Sequence, residues 1–151
     1  MNGADDRTMV ISRVIAAPVR VVWAAWFDPD SLPRWWGPDG FSCHTHRIDL
    51  RQDGEWVFDM IAADGTVYPN HQRYTLVEPE RRIGYTLLWG ENGPKHADSS
   101  VTFENLGADG TRITLTMIFI TPDECATAKS FGAEALGLQT LGKLAQHIGV
   151  A

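Results

Sequence analysis

Cysteine is scarce in this chain of 151 residues, with Cys43 and Cys125 the only two. Two thiols make no disulfide framework of the kind that holds small secreted domains together. Basic side chains are also few, 13 against 19 acidic ones, for a formal charge of −6. A phosphate backbone or an anionic bilayer needs a basic field, so nucleic acid and membrane surface are excluded as main partners. No apolar run approaches the ~20 residues of a membrane-spanning helix. The opening residues, Met1 to Arg7, contain no apolar stretch, so no secretory signal is expected there and the chain is read as cytoplasmic. Residues 1–7 are expected to be poorly ordered. Gly-x-Ser-x-Gly, Cys-x2-Cys, His-Glu-x2-His and phosphate-cradling glycine motifs are all missing. Neither a metal nor a cofactor is therefore expected.

What is abundant is apolar and aromatic. Hydrophobic residues make up 44% of the chain, and six are tryptophan. At this length and composition one domain is expected over 1–151, able to bury roughly 68–70% of its unfolded surface.

Turn signals divide the chain. Asp53-Gly54, Asp64-Gly65, Asn92-Gly93 and Asp109-Gly110 offer the left-handed backbone positions that tight hairpins use. Between them lie alternating runs at 41–50, 54–61, 66–77, 82–89, 99–105 and 111–120, which read as six consecutive antiparallel strands. Pro79-Glu80 marks the one connection lacking such a dipeptide. Residues 8–15 form a further strand ahead of them. After Ala17-Pro18 the period changes, and Val19, Val22, Trp23 and Trp26 recur at helical spacing. Asp28-Pro29 predicts the start of a second short helix, which Gly37-Pro38 ends. Thr121-Pro122-Asp123-Glu124 reads as a capping box opening one long helix from Pro122 to Ile148. Its apolar stripe takes in Ala128, Phe131, Ala135, Leu138, Leu141, Ala145 and Ile148, with Glu134 inside it. The fold class is α+β. A curved antiparallel sheet cannot bury its concave face alone, so the long helix is its cover and a cavity between them is expected.

Candidate site residues follow from these faces. Trp56, Phe58 and Met60 share one strand face, and Tyr85, Leu87 and Trp89 share another. Trp35-Trp36 closes the second short helix, where it either walls a cavity or clamps the helices to the sheet. Glu134, a carboxylate in an apolar stripe, is a ligand anchor, an acid or base, or a rim residue bonded to a neighbour. His44 and His46 share a face but lack a third metal ligand at readable spacing. Cys125 lies near a helix N-terminus, which can activate a thiol.

The motifs Arg13-x3-Ala17-Pro18-x3-Val22-Trp23-x-Ala25-Trp26-x-Asp28-Pro29-x2-Leu32-x2-Trp35-Trp36-Gly37-Pro38 and Asp49-Leu50-Arg51-x2-Gly54-x-Trp56-x-Phe58 resemble those of the activator-of-heat-shock-protein-90-ATPase-like family. So do later blocks around Tyr68-Pro69-Asn70, Val101-Thr102-Phe103-Glu104 and Gln139-Thr140-Leu141. The resemblance runs from about residue 8 to 149. It implies the START/SRPBCC helix-grip fold of the birch-pollen allergen: seven curved antiparallel strands in the order 2-3-4-5-6-7-1, gripping a C-terminal helix, with two short helices between strands one and two. It also implies a hydrophobic cavity, but no single activity. Leu76 stands where relatives commonly carry glutamate, so any chemistry of that carboxylate is missing here.

The leading expectation is binding of a small hydrophobic or aromatic molecule, without catalysis. Trp36, Phe41, Trp56, Phe58, Met60, Tyr85, Trp89, Phe131 and Leu138 would wall the site, and Glu134 would orient one polar group. The alternatives are a co-chaperone-like partner of a chaperone ATPase and a cyclase- or hydrolase-type enzyme using Glu134. A homodimer is compatible with the sequence.

Overall fold

The computed structural model describes residues 6–150. In chain order its elements are β1 (Thr8–Ile15), α1 (Val19–Trp26), α2 (Leu32–Trp35), β2 (Ser42–Asp49), β3 (Glu55–Ile61), β4 (Val67–Glu78), β5 (Arg82–Leu88), β6 (Lys95–Asn105), β7 (Thr111–Phe119), α3 (Pro122–Ser130) and α4 (Ala133–Ile148). The strands form one sheet ordered β1-β7-β6-β5-β4-β3-β2, and every neighbouring pair is antiparallel. This is the α+β helix-grip arrangement expected. No helix among the described residues is long and apolar enough to cross a membrane.

The predicted poorly ordered N-terminus lies outside the described residues except for Asp6 and Arg7. Arg7 already belongs to the sheet register, since its carbonyl accepts from the Phe119 N–H at 2.8 Å.

Two helices differ from expectation. The second short helix begins at Leu32 rather than Asp28. The Asp28 carboxylate instead accepts from the Asp30 N–H at 2.8 Å, closing a local turn that competes with helix. The C-terminal helix is two helices, because Gly132 adopts φ +80° between α3 and α4. Phe131 and Gly132 return their N–H groups to the carbonyls of α3, ending it as a left-handed C-cap does. The N-terminal cap of α3 is as predicted, with Thr121 Oγ1 accepting from the Glu124 N–H at 3.1 Å.

The main core fills the concave face between the sheet, α1, α2 and the C-terminal half of α4. Trp26, Trp35, Trp56, Phe58, Phe103, Ile113, Leu141 and Leu144 belong to it. Trp35 is the clamp: its indole N–H donates to the Ala25 carbonyl at 2.9 Å, and its ring meets Trp26 edge-on at 4.9 Å. A second, smaller cluster of Met9, Ala97, Phe119 and Cys125 lies under α3. Cys125 is thus buried among apolar carbons rather than presented as an exposed thiol.

His71 is buried on the sheet's other face. Its Nδ1 accepts from the Asn92 N–H at 3.1 Å, and its Nε2 lies 2.8 Å from the Glu55 carboxylate. The accepting Nδ1 leaves the proton on Nε2, so the ring donates to Glu55 and pins the β5–β6 hairpin against β3 and β4. Burial raises the proton affinity of Glu55, but the bonds from His71 and Arg47 outweigh it and hold the carboxyl below its ordinary range.

Candidate functional site

The two apolar clusters do not meet. Between them lies a cavity of about 210 Å³. Its floor is the concave face of the sheet, with Gln72, Tyr85, Leu87, Leu115 and Met117; these point the same way because side chains alternate along each strand. Trp36, Gly37, Pro38 and Met60 close one end, and Leu136, Gly137 and Thr140 of α4 form the roof. Gly137 matters sterically, because a Cβ there would collide with Ile11 Cδ1 on β1. Ala128, Ala133 and His96 line a neck. These three residues and Leu136 also line an adjoining outer groove of about 430 Å³. Trp89, Asp123, Glu124 and Phe131 line the groove beyond.

The floor carries one unsatisfied polar group. Gln72 is 2% exposed; its Oε1 accepts from the Tyr74 hydroxyl at 2.9 Å, and its Nε2 has no hydrogen-bond partner among the described residues. A buried donor left unpaired costs about 1–3 kcal/mol, so this one identifies where an acceptor from a bound molecule or water would be stabilised. Burial also pushes the Tyr85 hydroxyl up to about 12, with Ser99 opposing the shift. Tyr85 therefore remains a neutral hydroxyl at physiological pH. Burial lowers the proton affinity of His96, with Glu124 opposing, so the neck histidine is mainly neutral near pH 7.

The predicted residues separate into five places. Trp36, Met60 and Tyr85 line the cavity. Trp89 and Phe131 line the outer groove and are 55% and 79% exposed. Trp56 and Phe58 are fully buried in the main core, stacked on each other at 3.5 Å. Phe41 is half-buried outside the cavity, its ring 6.1 Å from Tyr68 and its carbonyl accepting from Lys143 Nζ at 3.1 Å. Glu134 and Leu138 are exposed.

The exposure of Glu134 corrects the expectation of a carboxylate within a buried stripe. Residues 134, 138, 141 and 145 do share one helical face. Leu141 and Ala145 are buried where α4 packs on α1 and α2, and that cover does not extend over Glu134 and Leu138. In the N-terminal half of α4 the cavity is roofed by the neighbouring face of Ala133, Gly137 and Thr140. Trp89 is likewise displaced from the face of Tyr85 and Leu87, because the ladder shifts register at Leu87/Leu88 and the chain turns at Gly90, φ +84°.

Sequence reasoning missed Gln72, His96, Leu115, Met117, Ala133, Gly137 and Thr140. Leu115 and Met117 were already visible as one alternating face of β7. Gln72 shares the face of Tyr74 and lies opposite Trp56 across the β3–β4 ladder. His44 and His46 rings lie 5.0 Å apart, with His46 bonded to Asp59 at 2.9 Å. No three metal-ligating groups converge among the described residues.

Residues 16–149 match the family model described as Activator of Hsp90 ATPase homolog 1-like protein. The chain belongs to this family. Among solved family members, the crystal structure of the AHSA1 protein from Silicibacter pomeroyi is 26% identical, covering 95% of this chain and 98% of that one, with a TM-score of 0.73. A protein of Chromobacterium violaceum is also 26% identical, with coverages of 92% and 95% and a TM-score of 0.78. A protein of Nitrosomonas europaea at 24% identity shares the fold, with coverages of 95% and 94% and a TM-score of 0.84. No curated protein matches the sequence. Membership in the family accounts for the helix-grip fold and for a hydrophobic cavity under the C-terminal helix.

Proposed function

We propose that this protein binds a small, largely apolar molecule bearing one hydrogen-bond acceptor, in the cavity between the sheet and α4. The observation that carries the reading is Gln72 Nε2, which has no partner among the described residues, in the floor of a mostly apolar cavity. Pockets of this kind are mostly apolar, with a few polar groups that fix orientation. A cavity of about 150 Å³ holds a benzene ring, so 210 Å³ suits a one- or two-ring molecule or a short acyl chain. The cyclase-type reading loses its one named residue, since Glu134 is exposed. The chaperone-partner reading has only the family description behind it. A cytoplasmic location is part of the proposal, supported by two unpaired cysteines.

Titration with 4-phenylbutanol, followed by tryptophan fluorescence and calorimetry, tests it. Saturable binding with a Kd on the order of 10 µM to 1 mM is expected for a ligand of this size. Ala133→Leu adds three carbons at the neck and should weaken that binding at least about tenfold, a loss of about 1.4 kcal/mol. Leucine suits a helix, and enlarging this partly buried position should cost no more than about 3 kcal/mol of stability. Absence of saturable binding, or unchanged affinity in Ala133→Leu, contradicts the proposal.

A further inference from the structure

The outer groove differs chemically from the cavity it joins. The cavity is lined by no carboxylate, lysine or arginine among the described residues, with His96 at its neck the one titratable ring able to carry charge near neutral pH. The groove has two carboxylates, Asp123 and Glu124, and no lysine or arginine in its lining. Neither carboxylate has an ion-pair partner among the described residues, and the nearby cation Lys95 is paired with Asp98 at 2.5 Å. The predicted capping box is made in one direction only: Thr121 accepts from the Glu124 N–H, but the Glu124 side chain makes no return bond to the Thr121 N–H among the described residues. Its carboxylate lines the groove with His96, whose proton affinity burial lowers and Glu124 partly restores.

Two large aromatics complete the lining. Trp89 stands against His96 with ring centroids 4.0 Å apart, and it and Phe131 keep most or much of their surface open to solvent. Exposed tryptophan and phenylalanine beside unpaired carboxylates match an alkylammonium group. The ring faces attract a cation through their quadrupole, and the carboxylates attract it through charge. The two first-turn acids also offset the positive end of the α3 dipole, so an anion entering the groove meets negative side chains.

We infer that the ligand is an amphiphilic cation, a protonated amine or quaternary ammonium on an apolar body, with the body in the cavity and the charge between Trp89, Phe131, Asp123 and Glu124. The inference rests on the cavity-binding reading above. Its second anchor is independent of the groove: Gln72 Nε2, buried and unpartnered in the cavity floor, receives an acceptor at the far end of the body. The division of labour is spatial, with burial of apolar area supplying affinity inside and charge selecting the ligand outside.

Three probes that share a ring and linker test this: 4-phenylbutylamine, 4-phenylbutanol and 4-phenylbutyrate. Calorimetry at neutral pH and low salt should rank them amine, alcohol, carboxylate, with about tenfold or more between amine and carboxylate. Asp123→Asn combined with Glu124→Gln should reduce that ratio to about twofold or less and leave the alcohol unchanged. Both side chains are exposed, and a thermal melt confirms that the variant is folded. Raising the salt concentration should weaken the amine alone. Equal binding of the three probes, or a preference that survives the double substitution, overturns the cationic assignment while the cavity reading stands. Failure of the alcohol to bind overturns the cavity reading and this inference together.

Discussion

Trp56→Ala is expected to destabilise the protein by about 3–5 kcal/mol, the range for a large aromatic removed from a close-packed core. Trp56 has no exposed surface, stacks on Phe58 at 3.5 Å and 14°, and meets Trp36 edge-on at 6.2 Å. Its indole N–H donates to Thr45 Oγ1 at 3.1 Å. Truncation removes the ring contacts, leaves a void and deprives Thr45 of its donor. Against a typical total of about 5–15 kcal/mol, that is a large fraction. Urea denaturation checks it, and a loss under about 1 kcal/mol would show that Trp56 is not a core residue. Met60→Ala should behave differently, because Met60 lies four residues along the same face but lines the cavity. The sequence stripe of Trp56, Phe58 and Met60 therefore divides along the strand into core and site.

Stability is also expected to fall steeply in alkali. Burial pushes the Cys43 thiol from 9.0 up to about 12, with Lys143 partly opposing. Burial likewise raises Tyr85 to about 12, opposed by Ser99, and raises Tyr74 well above its ordinary value, with Tyr85 adding to the effect. In each case the folded state holds a proton that the unfolded chain releases at lower pH. Between the two values the unfolded state binds fewer protons, so stability decreases as pH rises. It is fully present below about pH 9 and is lost progressively toward pH 12. A tenfold change in proton affinity is about 1.4 kcal/mol, so Cys43 alone can contribute a loss on the order of 4 kcal/mol. Urea midpoints should be level from neutral pH to about 9 and then drop, and Cys43→Val should begin the drop about one pH unit later, where the tyrosines of the unfolded chain ionise. A level profile to pH 11 would show that these groups are not held neutral by the fold.

Most strands were legible because their boundaries are written in local chemistry, although β6 begins at Lys95, ahead of the alternating run read at 99–105. Asx-Gly dipeptides turn the chain whatever surrounds them, and β1 begins and ends where the alternation of 8–15 says it should. The break at Phe131-Gly132 was not legible in the same way. Glycine costs only about 1 kcal/mol in a helix interior, and the apolar spacing continues through it, so periodicity carries one helix across the gap. Glu134 illustrates a second limit. A wheel shows which residues share a face, but not where the helices covering that face stop. Gln72 illustrates a third, since an amide on an alternating strand looks like an outward residue until the pairing with Trp56 sets its side.

The central claim is that an apolar molecule occupies the cavity and satisfies Gln72. The side-chain amide resonances of Gln72, followed by heteronuclear NMR during titration with 4-phenylbutanol, test it most directly. A saturable shift of the Gln72 amide group is predicted, accompanied by Leu87, Met117 and Gly137 and moved to at least about tenfold higher ligand concentration in Ala133→Leu. An unmoved Gln72 amide, or shifts confined to the sheet's outer face, would contradict it.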